Sequence, residues 1–124
     1  MEQTLEQNKV FVRNHFEEIV NRKNSAIADQ NFASDFIDHE EPFVGLVSPA
    51  VVKQTMEKAY AKYPDLHVTV EDIIAEGDKV MMRCTWRGTD ASTGKKSEFK
   101  GFVLWRIAEG KLAERWATIT PPIR

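Results

Sequence analysis

The chain has 124 residues, 42% of them hydrophobic and 29% charged, and 17 basic against 19 acidic side chains give a formal net charge of −2. That length suits one domain spanning 1–124 with one core, and the balance of apolar and charged residues is that of a globular rather than a disordered chain. No basic block is present, which excludes the electrostatic footprint of a nucleic-acid binder, and no apolar run approaches the ~18 residues needed to cross a bilayer.

Cysteine usage narrows the chemistry further. Cys84 stands alone, so an intrachain disulfide and a zinc–thiolate cluster within one chain are both excluded. Inside a strand-like run it reads as a small buried hydrophobe rather than a nucleophile. The N-terminal MEQTLEQNK carries no apolar signal core, and the expected location is the cytoplasm.

The first half of the chain has helical spacing. Leu5, Val12, Phe16 and Ile19, with Val20 beside them, form one apolar stripe and predict a helix over about 3–22. Asn24 and Ser25 can cap a second short helix running through Ile27 towards Phe32. Next comes DFIDHEEPF at 35–43, where Asp35, Asp38, Glu40 and Glu41 surround His39. Consecutive side chains diverge here, and His15 and His67 do not stand at a ligand spacing, so no metal site is expected. A third helix opens at Ser48-Pro49, with serine as cap and proline in the first turn. Val52, Met56, Ala59, Tyr60 and Tyr63 form its buried stripe, and Pro64 ends it.

From His67 the period changes to two, predicting strands at 67–75, 79–89, 97–108 and 111–120. Glu76-Gly77-Asp78, the region around Ser92-Thr93-Gly94, and Glu109-Gly110 supply the turns. The last connection is short enough to make the final two strands antiparallel partners. Phe99, Gly101, Val103, Trp105 and Ile107 share one face of their strand, while Phe102 and Leu104 make the other apolar as well. Val80, Met82, Cys84 and Trp86 line one side of 79–89; Met81, Arg83, Thr85 and Arg87 line the other. A sheet apolar on both sides needs two covers. The helices supply one; a partner subunit, or an internal cavity closed by the sheet's own curvature, must supply the second. The expected class is α+β with a curled antiparallel sheet.

The stretch YPDLHVTVEDIIAEGDKVMMRCTWRGT at 63–89 resembles the SnoaL-like polyketide cyclase family of the NTF2-like superfamily, in its PD-L turn and its acidic strand ending in AEGDKV. FIDHEEP at 36–42, TGKKSEFKGFVLWRIAEGKLAE at 93–114, and Trp116 two residues after Glu114 match in the same order. The resemblance implies a cone-shaped barrel, with three N-terminal helices packed on a strongly curved antiparallel sheet around a pocket. It also implies a homodimer assembled through the sheet, and acid/base chemistry alpha to a carbonyl that needs no metal or organic cofactor.

Carried onto this sequence, the resemblance implies His39 at the pocket mouth as a group able to exchange protons near neutral pH. Bonding to a local backbone group at a turn is the structural alternative. The position of the family's acid/base aspartate, four residues after the tryptophan, holds Thr120, whose hydroxyl orients but does not accept protons as a carboxylate does. Glu114 lies about 20 Å from it along the strand at ~3.3 Å per residue, and reads as an ion-pair residue at the sheet edge or dimer contact. Asp90 stands where the family has histidine; it is either a relocated carboxylate pairing with His39 or a turn residue bonding its own backbone. The resemblance implies ligand contact for Phe43, Trp116 and Tyr60. Arg83, Arg87 and Arg106 are expected on the outer sheet face or at the subunit contact.

Three readings follow. One is a cofactor-free cyclase, isomerase or dehydratase using His39 with Asp90 or Thr120 on an apolar carbonyl compound. Another is a non-catalytic binder of hydrophobic small molecules, since the catalytic aspartate position is Thr120. The last is an interaction module whose cone is plugged by its own side chains.

Overall fold

The computed structural model describes residues 4–40 and 44–121. Helix α1 (Leu5–Phe16) begins at a capping box: Thr4 Oγ1 accepts from the Gln7 N–H at 3.1 Å while Gln7 Oε1 accepts from the Thr4 N–H at 2.9 Å. A single π turn, Glu17–Asn21, prolongs it. The short 3₁₀ segment Ser25–Ile27 leads into α2 (Ala28–Asn31), and α3 (Pro49–Lys62) starts on the expected Ser48 cap, whose hydroxyl accepts from the Val51 N–H. None of these helices is long and apolar enough to cross a membrane.

Six strands follow the order β2-β1-β6-β5-β4-β3: β1 (Phe32–Asp38), β2 (Gly45–Leu46), β3 (His67–Glu76), β4 (Lys79–Thr89), β5 (Lys96–Ala108) and β6 (Lys111–Thr120). The four long strands pair antiparallel as their turns require. Strand β1 corrects the all-antiparallel expectation: it lies parallel to β6, making the curved sheet mixed. Strand β2 does not pair with β3, so the barrel is left open.

One face of the sheet carries the core. Val80, Met82, Cys84, Trp86, Phe99, Val103, Trp105 and Ile107 are all buried, together with Val12, Phe16, Ile19 and Val20 from the first helix and its π turn. Each such aliphatic or aromatic side chain removed from water contributes roughly 1.5–3 kcal/mol. Two local devices shape the strands. At Gly101 an added Cβ would lie 2.0 Å from the Thr118 carbonyl oxygen and 2.8 Å from Ile119 Cα, so only glycine admits this approach of β6. At Ala113 the pairing slips from Ile107↔Leu112 to Arg106↔Glu114. That bulge turns Arg115 inward opposite Trp105, and leaves Glu114 and Trp116 on the outer face opposite Arg106 and Leu104.

The π turn has a specific use. It lays the Asn21 amide along edge strand β3, where Nδ2 donates to the Val68 carbonyl at 3.1 Å and Oδ1 accepts from the Val68 N–H at 2.7 Å. Nearby, Lys23 Nζ donates to the carbonyls of Val20 and Leu66. The helical layer is thereby pinned to the sheet by polar contacts as well as by packing.

Candidate functional site

Between the helices and the inner sheet face lies a cavity of about 420 Å³, within the range of small-molecule sites. Phe16, Ile19, Phe36, Met56, Trp86 and Ile119 supply much of its apolar wall. The polar exceptions are few. Asp38 and Glu40 from the end of β1, Arg115 from β6 and His15 from α1 all line it, with Thr55, Lys58 and Lys62 contributed by α3.

Arg115 organises this polar group. Its Nη1 donates to Glu40 Oε1 at 2.7 Å and to the two Asp38 oxygens at 3.2 and 3.3 Å, while its guanidinium carbon lies 5.8 Å from the centre of the Trp105 ring. Asp38 also accepts the Glu40 N–H at 2.9 Å, folding the strand end so that both carboxylates meet one cation. The three side chains are only 7–17% exposed, which strengthens every charge–charge term among them.

His15 is fully buried against Phe32 and Trp105, and burial first, then the Arg115 charge, holds its pKa at about 3 instead of the ordinary 6.5. The imidazole is therefore neutral. Asn31 Nδ2 donates to His15 Nδ1 at 2.9 Å, which leaves the proton on Nε2. A neutral ring N–H, a guanidinium and two carboxylates thus share one apolar chamber. Carboxylates accept protons; the other two groups stabilise an oxyanion.

The residues singled out in the sequence occupy other places. His39 lies on the outer face, with Nε2 2.6 Å from Glu114 Oε2 and its ring stacked on Trp116 at 4.8 Å and 5°. Glu114 also accepts from Arg106 Nε at 2.8 Å; hydrogen bonds from Arg106 and then from His39 hold its carboxyl below the usual range. Neither His39 nor Trp116 is among the residues lining the cavity, and Thr120 is exposed at the end of the same outer row. The structure therefore corrects the placement of His39 at the pocket mouth.

Asp90 does not pair with His39. It accepts from the Ser92 N–H, the Ser92 hydroxyl and the Thr93 N–H, closing its own turn, and these bonds, the hydroxyl's foremost, lower its pKa. Tyr60 donates its hydroxyl to the Ile19 carbonyl, tying α3 to the π turn; burial, then the Glu57 charge, pushes its pKa up to about 12. Phe43 lies outside the described residues. Arg83 and Arg87 pair with Asp72 and Glu98 at 2.6 and 3.0 Å across neighbouring strands, on the outer side as expected.

Sequence reasoning missed Arg115 and His15 as site residues, and did not separate Asp38 and Glu40 from the histidine between them. Signals existed. Alternation along an extended chain puts 38 and 40 on one side and 39 on the other. His15 interrupts the buried stripe of Val12, Phe16 and Ile19, and a polar residue on such a stripe is more informative than another hydrophobe. Among the described residues no group of three or more histidine, cysteine or carboxylate side chains is arranged to hold a metal ion.

Solved structures share this architecture. A candidate polyketide cyclase from Acidithiobacillus ferrooxidans superposes with a TM-score of 0.83 at 21% identity, over 98% of this chain and 92% of that one. AclR, a candidate hydroxylase from Streptomyces galilaeus, gives 0.82 at 24%, over 94% and 91%. IdmH, a candidate polyketide cyclase from Streptomyces antibioticus, gives 0.80 at 23%, over 92% of both chains. No match was found among curated proteins. The three helices and curved six-stranded sheet are the NTF2-like α+β cone anticipated above. A family model for SnoaL-like polyketide cyclases matches residues 10–120, and the chain belongs to that family.

Proposed function

We propose that the cavity binds an apolar carbonyl compound and moves a proton alpha to its carbonyl without a cofactor, as an aldol-type cyclisation or isomerisation requires. The observation that carries this reading is the Asp38–Arg115–Glu40 cluster set into the apolar wall. Glu40, the more accessible carboxylate, takes the alpha proton, leaving the electron pair on carbon and oxygen as an enolate. Arg115 and the neutral His15 N–H stabilise the developing oxyanion. In a cyclisation the enolate carbon then attacks a second carbonyl of the same molecule, and the resulting alkoxide recovers the proton from Glu40. Asp38, bonded to both Arg115 and the Glu40 backbone, keeps the base and the cation in register.

Exchange of deuterium into the alpha position of 2-tetralone, followed by NMR, tests the reading. Glu40→Gln is expected to slow exchange by about a hundredfold while leaving binding in place. Exchange at the parent rate in that variant would sink the assignment.

The non-catalytic alternative draws support from one observation: both carboxylates are already bonded to Arg115. Ketone binding by the wild type with no exchange above buffer would establish it. The cavity itself argues against the plugged-cone reading.

We also infer a homodimer across the outer sheet face, where Phe102 is 50% exposed beside half-buried Leu104 and Trp116. Phe102→Glu is expected to sediment as a monomer where the wild type sediments as a dimer. A variant that keeps the parent mass excludes this interface.

A further inference from the structure

The tripeptide Asp38-His39-Glu40 straddles β6. Its outer two side chains enter the cavity and grip Arg115, while the middle one passes to the opposite face and grips Glu114 and Trp116. The backbone joins the two grips, because the His39 N–H donates to the carbonyl of Arg115 itself at 2.9 Å. Three successive residues are thus fastened to one short length of β6 from both sides of the sheet.

The geometry points to His39 as a positioning residue: its imidazole, clamped between Trp116 and Glu114 outside the cavity, holds the strand end so that Glu40 and Asp38 meet Arg115 inside. This rests on the reading of Glu40 as the base. The coupling is mechanical. Side chains two apart on an extended strand point the same way, so a shift or twist of the backbone at 39 displaces both carboxylates together. Immediately beyond Asp38, β1 ends, and the ladder to β6 closes with the Asp38↔Arg115 pair and the His39 N–H bond. The outer clamp joins the Glu40 N–H bond to Asp38 in fixing the chain at 39 and 40.

The clamp is built on a charged group. Glu114 stays ionised, held so by Arg106 and by His39 itself. Among the described residues, the groups facing the ring are Glu114, Arg106 acting through it, and Trp116; Asp38, Glu40 and Arg115 lie across the sheet.

Two readouts test this. The first is the NMR signal set of the Arg115 guanidinium protons, which reports on the inner grip whether or not any substrate turns over. In the wild type these signals are expected to be sharp; in His39→Ala they broaden into exchange with water, and in His39→Gln, whose amide can still donate to Glu114, they persist. The second is alpha exchange of 2-tetralone. His39→Ala is expected to lower the saturated rate about tenfold, with little change in half-saturating concentration, and His39→Gln to restore most of it.

An alanine variant unchanged in both readouts would overturn the proposal. Should the alanine variant not fold, Glu114→Gln serves instead, and is expected to broaden the Arg115 signals in the same way; signals as sharp as in the wild type would overturn the proposal. A wild type without alpha exchange would remove the role of Glu40 and leave the guanidinium signals to decide the clamp.

Discussion

Two faces of the same pair of strands carry the same cast of residues. Inside are Arg115, the carboxylates of Asp38 and Glu40, His15 and Trp105; outside are Arg106, the carboxylate of Glu114, His39 and Trp116. Chemically the sets are near duplicates. Physically they are not: Trp105 is 2% exposed and His15 holds its pKa at about 3, whereas half of Phe102 on the outer face meets water. Residue type offers two candidate sites, and burial separates a nearly dry polar cluster inside from a wetter one outside.

The comparison can be broken at its cations. Arg115→Met would leave two carboxylates facing each other in a nearly dry wall, and is expected to cost about 3 kcal/mol in urea denaturation. Arg106→Met removes a more exposed partner from Glu114, and its expected cost is below about 1 kcal/mol. Equal losses would mean that the faces do not differ as described.

The histidines sharpen it. His15 has a folded-state pKa of about 3, below the 6.5 of the unfolded chain, so between those values the unfolded state binds a proton that the folded state refuses. Its contribution to stability is whole above pH 6.5 and is lost as the pH falls towards 3, at up to about 1.4 kcal/mol per pH unit. Denaturation midpoints measured from pH 7 to 4 should fall steeply for the wild type and less steeply for His15→Gln. Parallel slopes would place a charged or solvated imidazole at that position.

Much of the scaffold was legible because it obeys local rules. Strands 79–89 and 111–120 have the bounds that alternation and turns assign, and α3 runs from the Ser48 cap to the last residues before Pro64. Strand β1 was not legible. Its sequence FASDFID lacks alternation, and its register to β6 shifts between Phe32 and Ile37, so only the tertiary neighbour makes it a strand.

The site was misplaced for a related reason. Extended without interruption from the Glu109-Gly110 turn, the hairpin would set Glu114 opposite Trp105, on the inner face. The bulge at Ala113 sets it opposite Arg106 instead, and a one-residue slip sends every later side chain of β6 to the other side. Counting along the strand correctly groups Glu114, Trp116 and Thr120; it does not say which way the group points. The short FIDHEEP match likewise singles out His39, while the carboxylates on either side of it turn inward.

The Asn21 amide on Val68 has a consequence for how molecules of this chain meet. An open sheet invites a second strand to add along its rim, which is how folded proteins start to polymerise. One rim here is a two-residue strand, too short to template anything, and the other has its ladder interrupted at Val68 by a side chain that mimics a peptide group. A newcomer seeking to extend the rim there must first evict that amide, so self-association is steered from the borders of the sheet towards its broad side.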